Sequence, residues 1–162
     1  MEGKKEAVTN SSSIIFIAKL NKFNLMKNIF KEVLIPSEVV KELLQKESSE
    51  NISIIHEMKG FLKETNPVKI VEYALGAGEK SAISLCLEKK GRFFISDDRK
   101  ARGYARRMGI ETIGVIGIIL ENLERSMIDK NEAKSLVNRL IKKGYYMSTL
   151  FYSRTMETIE SL

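Results

Sequence analysis

Apolar positions along the chain switch repeatedly between short runs bounded by turn-forming residues and stripes at helical spacing. Residues 7–9 form a short apolar run ending in the polar cluster Asn10-Ser11-Ser12-Ser13, after which 14–20 are apolar-periodic, predicting strand, turn and helix. Phe23, Met26, Ile29 and Phe30 lie on one helical face, and the β-rich stretch 32–35 follows as a second strand. Pro36 and Ser37 open a helix with Val39, Val40, Leu43 and Leu44 as its buried stripe and Ser37 as N-cap; Glu38 and Glu42 lie on its other side.

Beyond a polar breaker at 46–51, the pattern predicts a helix over 54–62 and, after Asn66-Pro67, an edge strand over 68–73. A glycine-containing turn at 75–78 leads to a helix over 79–87, then to an inner strand over 92–96 that ends at Asp97-Asp98. A basic helix over 99–108 closes at Gly109, and 110–115 reads as a further strand. Helices over 116–127, 130–143 and from Ser148 onward complete the pattern. Such alternation predicts an α/β fold whose mostly parallel sheet of about five strands is covered on both faces.

At 162 residues the chain is the size of one domain. Its 43% apolar and 30% charged residues are ordinary for a globular protein, and no apolar run reaches the roughly 18 residues a membrane span needs. The polar first ten residues and the brief apolar run at 14–18 do not make a secretory leader, so the expected location is cytoplasmic. One cysteine, Cys86, allows no internal disulfide, and with one histidine, His56, it argues against zinc centres and Cys–His catalysis. Cys86 reads as a small core residue. A net charge of +6 favours polyanionic partners.

In an open parallel sheet, ligands bind beyond the carboxyl ends of the strands. Four segments bring polar groups there: Asn10 and the serines after the first strand, Glu38 and Glu42 after the second, Glu79 at the start of a helix, and Asp97 and Asp98 after the strand at 92–96. Clustered carboxylates raise one another's pKa, and Mg²⁺ or Mn²⁺ would relieve that repulsion. A hard cation so held suits phosphodiester hydrolysis. Each residue also has a structural role open to it. Asn10 can cap a helix, Glu42 can pair with Lys41 or Lys46, Glu79 can offset a helix dipole, and one of Asp97 and Asp98 can cap the basic helix. Arg99, Arg102 and Arg106, with Lys100, repeat at helical spacing and could hold phosphates or form a solvated face.

Val8-Thr9-Asn10-Ser11-Ser12, Ile35-Pro36 with Glu42, Gly78-Glu79 with Ala82-Ile83, and Ser96-Asp97-Asp98-Arg99 with Ala101-Arg102 together resemble PIN-domain nucleases, closest to prokaryotic PIN-like proteins related to toxins of toxin–antitoxin pairs. The likeness runs over roughly residues 6–120 in the family's motif order.

It implies a three-layer α/β/α fold, with a PIN-like core over 1–125 and a helical extension over 126–162 packed on the same domain. It also implies a ribonuclease-type site at Asn10, Glu42, Glu79, Asp97 and Asp98, with Mg²⁺ or Mn²⁺ on the four acidic residues. Ser12, Arg99, Lys100, Arg102 and Arg106 are the implied nucleic-acid contacts, and RNA, a homodimer partner and an antitoxin-like inhibitor are the implied partners. The family's first motif is normally an aspartate. Asn10 stands there instead, bringing no charge and no base, so the resemblance also admits a catalytically impaired protein that binds RNA or a protein partner. A receiver-like phosphotransfer domain is the remaining alternative, and the spacing fits it poorly.

Overall fold

The computed structural model describes residues 3–45, 47–90 and 92–162. Its strands are β1 (Lys5–Thr9), β2 (Phe30–Ile35), β3 (Leu62–Glu64), β4 (Phe93–Ile95) and β5 (Thr112–Ile113). They form one sheet in the order β3-β2-β1-β4-β5, and every neighbouring pair is parallel. The helices are α1 (Ser11–Leu20), α2 (Asn24–Ile29), α3 (Ser37–Leu44), α4 (Glu50–Glu57), α5 (Ala77–Glu88), α6 (Arg99–Arg107), α7 (Val115–Glu124), α8 (Lys130–Lys142) and α9 (Thr149–Ser161).

Successive strand residues point to opposite faces of a sheet, and two apolar layers result. Ala7, Val33, Ile35 and Ile95 join the larger core with α1, α2, α7, α8 and Ile159 of α9. Val8, Leu34 and Phe94 face the smaller one, under Ala82, Ile83 and Leu85 of α5 and Ala101 and Ala105 of α6. The fold is therefore the expected three-layer α/β/α sandwich. Cys86 belongs to the smaller core, where burial pushes its thiol up to about 12.

Several boundaries differ from the sequence pattern. The helix expected over 54–62 is α4, which ends at Glu57, and Leu62 instead opens edge strand β3. The strand expected over 68–73 does not form: Val68 is 97% exposed, and three of the segment's backbone N–H groups are taken by α5 side chains. Val68 and Lys69 donate to the Glu88 carboxylate and Val71 to Ser84 Oγ, so no ladder is needed to satisfy them. Pro36, not Ser37, holds the N-cap position of α3. Ser37 ties the helix to the end of β3 and the segment beyond it by donating its hydroxyl to Glu64 and its N–H to Asn66. The strand at 110–115 shortens to Thr112–Ile113 because Gly114 caps α7. Within the breaker at 46–51, α4 already begins at Glu50, and Lys46 lies outside the described residues.

The chain builds outward from β1 to β2 and β3, then crosses to β4 and β5, so the topological switch lies between β1 and β4. In folds of this kind the crevice for a ligand opens at the carboxyl ends of such a pair. Asn10 follows β1 and Asp97 follows β4, one on each side of that point.

Candidate active site

Asn10 is 2% exposed and both ends of its amide are committed. Its oxygen accepts from Ser13 N–H at 3.3 Å, capping α1, and its nitrogen donates to Ser96 Oγ at 2.8 Å. Ser96 Oγ also accepts from Asp98 N–H, which links the ends of β1 and β4 through one buried hydroxyl.

Ser11 and Ser13 divide the acidic groups between them. The Ser11 hydroxyl donates to Glu42 at 2.9 Å, and that of Ser13 donates to Asp97 at 2.8 Å. Two residues along a helix are turned by about 200°. The first turn of α1 is thus wedged between the two carboxylates and keeps them on opposite flanks.

Asp97 is the most heavily bonded acid at this edge. Besides Ser13, it accepts from Val115 N–H at 3.1 and 3.3 Å and from the Tyr145 hydroxyl at 2.8 Å. Burial, then the Asp97 charge and the hydrogen bond to it, hold the Tyr145 phenol well above its ordinary range, with Arg102 offsetting part of the effect. Glu42 accepts from Gly78 N–H at 3.1 Å as well as from Ser11. Glu79, in the first turn of α5, folds back over Gly76, the N-cap position, and among the described residues no hydrogen bond or ion pair engages its carboxylate. Asp98 is exposed and caps α6 by accepting from Ala101 N–H at 2.6 Å.

The charge at this edge is balanced by the fold itself. Helices α5 and α7 present free N–H groups to Glu42 and Asp97, and the positive ends of helix dipoles favour anions. Backbone donors thus relieve part of the repulsion expected among these carboxylates. Three glycines make room for them. A Cβ would fall 2.5 Å from Glu42 at Gly78, 2.6 Å from Glu79 at Gly76 and 2.6 Å from Asp97 at Gly114.

PIN domains generally depend on divalent metal ions, and an all-oxygen donor set suits a hard cation in kind. The placement does not suit one. Among the described residues no three Asp, Glu, His or Cys side chains come together to hold an ion. The Asn10 oxygen is spent on the cap, and the α1 terminus separates Glu42 from Asp97.

Of the predicted nucleic-acid contacts, Arg102 comes nearest the acids. Its Nη1 and the Asp97 carboxylate both crowd the space beside Gly114, and its Nε is buried without a hydrogen-bond acceptor. Arg99 and Lys100 are exposed at the start of α6, directly after the strand end. Arg106 is held by Thr112 at the start of β5, two turns further along the helix. Ser12 is half-buried between Ser11 and Ser13. Lys41, a possible partner for Glu42, pairs with Glu38 instead. Tyr145 was not visible as a site residue in the sequence. It stands just past Gly144, which ends α8 with φ of 97°, and nothing in the local pattern points it toward Asp97.

A fold with a five-strand parallel sheet and acids gathered at its switch point is that of a PIN domain. The PIN-domain family model DUF3368 matches residues 6–161, and the chain belongs to that family. A PilT N-terminus domain protein from the hyperthermophilic archaeon Sulfolobus solfataricus P2 is similar in structure, with a TM-score of 0.51 and 18% sequence identity. The match covers 74% of this chain and 94% of that one. Comparison with curated proteins gives no match. The fold is thus nuclease-like in kind. Among the described residues no helix is long and apolar enough to cross a membrane.

Proposed function

We propose that the chain is a PIN-fold protein that binds single-stranded RNA at the acidic edge and its α6 rim, with hydrolysis impaired. The observation that carries this reading is Asn10, whose amide is buried and bonded at both ends at the position where the family normally has an aspartate. An amide so placed brings no charge to a cation and accepts no proton from water. Arg99 and Lys100 supply exposed cations beside that edge for phosphates, and half-buried Arg102 adds its charge behind them.

A second reading, RNA hydrolysis with Mg²⁺ or Mn²⁺, is favoured by the glycine spaces that accommodate Glu42, Glu79 and Asp97. The two part company in a cleavage assay on single-stranded RNA with Mn²⁺, comparing the parent with Asn10→Asp and with the Glu79→Gln, Asp97→Asn double variant. The first reading expects RNA binding without cleavage by the parent and cleavage that emerges in Asn10→Asp. Parent cleavage that disappears in the double variant would establish the second reading, and a parent that binds no RNA at low salt would sink the first.

A further inference from the structure

A separate concavity lies at the opposite edge of the sheet. Lys5 opens β1, Phe93 opens β4, Glu111 leads into β5 and Lys90 lies just past α5, so its walls sit at the amino ends of the strands. Its volume of about 500 Å³ falls within the roughly 300–1,000 Å³ common for small-molecule sites. We propose that this cavity binds a small organic phosphate with a flat apolar body, of the nucleoside monophosphate type, independently of the acidic edge.

Charge is the first argument. Lys5, Lys90 and Arg92 line the cavity against the single carboxylate of Glu111. Arg92 donates through Nε at 2.6 Å and Nη2 at 2.5 Å to Glu6, which fixes its guanidinium plane. Its Nη1 is shielded from solvent, so Arg92 contributes charge to the cavity wall and not a free donor. Lys5 and Lys90 are exposed at the cavity, and their ammonium groups are the cations a phosphate can reach.

The second argument is the remaining lining. Leu87, Phe93, Met108 and Ile110 give the cavity an apolar side, and Met108 is 43% exposed, free to adjust to a planar body. Lys5 Nζ stands 5.0 Å from the centroid of the Phe93 ring, so cation and apolar surface are presented together. An anion with no apolar part would leave half of this lining unused. Cys86 adds a neutral wall, since burial keeps it from acting as a thiolate.

The test is calorimetric titration of AMP and of inorganic phosphate into the parent, Lys90→Glu, Met108→Glu and Glu79→Gln. Lys90 and Met108 are exposed, so their substitution leaves the core intact. AMP is expected to bind the parent at least about tenfold more tightly than phosphate, to weaken by about tenfold or more in each cleft variant, and to be unchanged by Glu79→Gln. No AMP binding at millimolar concentration, or binding indifferent to both cleft variants, would overturn the proposal. So would phosphate binding as tightly as AMP, or AMP binding lost only in Glu79→Gln, which would place the nucleotide at the acidic edge.

Discussion

On one flank of the α1 terminus Asp97 is fixed by Ser13, Val115 and Tyr145, and on the other Glu79 folds over Gly76 with no partner among the described residues. Both carboxylates lie in contact with a glycine that leaves no room for a methyl group. They differ in whether they could move if one were added. A carboxylate held by several donors behaves as part of the framework. One held by none remains available to a ligand.

Substituting the glycines breaks or sharpens that contrast most strongly. Gly114→Ala drives a Cβ into a carboxylate that cannot swing away, and a loss of about 1–3 kcal/mol is expected in chemical denaturation. Gly76→Ala meets a side chain free to rotate, and its effect is expected within about 0.5 kcal/mol. Equal costs at the two positions would erase the distinction between the flanks.

Tyr145→Phe comes next. Asp97 keeps Ser13 and Val115, so the loss is expected near 1 kcal/mol, the ordinary net value of a hydrogen bond. The phenol's pKa is raised on folding, so its contribution is fully present below its unfolded value of about 10 and falls as pH rises beyond it. The stability gap between parent and variant should be level from neutral pH to about 9 and shrink above about 10. A gap that widens with alkaline pH would contradict the Asp97 hydrogen bond.

The smallest effect on stability is expected for Arg99→Gln with Lys100→Gln, since both side chains are exposed. Its effect on RNA should be larger: weaker binding across all sequences, with the slope of log affinity against log salt reduced by about 0.7 for each phosphate that is no longer neutralised. An unchanged slope would make the start of α6 a solvated face.

Much of this was legible in the residues. Strand, turn and helix at 7–20 and at 92–108 follow from local period and capping, and they bring Asn10, Asp97 and Asp98 to one edge. Strand β3 was hidden because only Leu62 of its three residues is buried, leaving no alternation to read. The apolar look of 68–73 misled, because side chains of α5, not a neighbouring strand, take the N–H groups of Val68, Lys69 and Val71. Tyr145 meets Asp97 from 48 residues away through the packing of α8, and no local pattern encodes such a pairing. The separation of Glu42 from Asp97 was likewise invisible, since motif order gives the edge on which acids lie but not what stands between them.

Asn10 and Asp97 share Ser13, so an aspartate at position 10 would set two carboxylates on one residue and create a demand for a cation that the parent lacks. Calorimetric titration of Mn²⁺ into the parent and Asn10→Asp tests this most directly. The account predicts binding no tighter than about millimolar in the parent and at least about tenfold tighter in the variant. Micromolar binding by the parent that Asn10→Asp does not improve would contradict it.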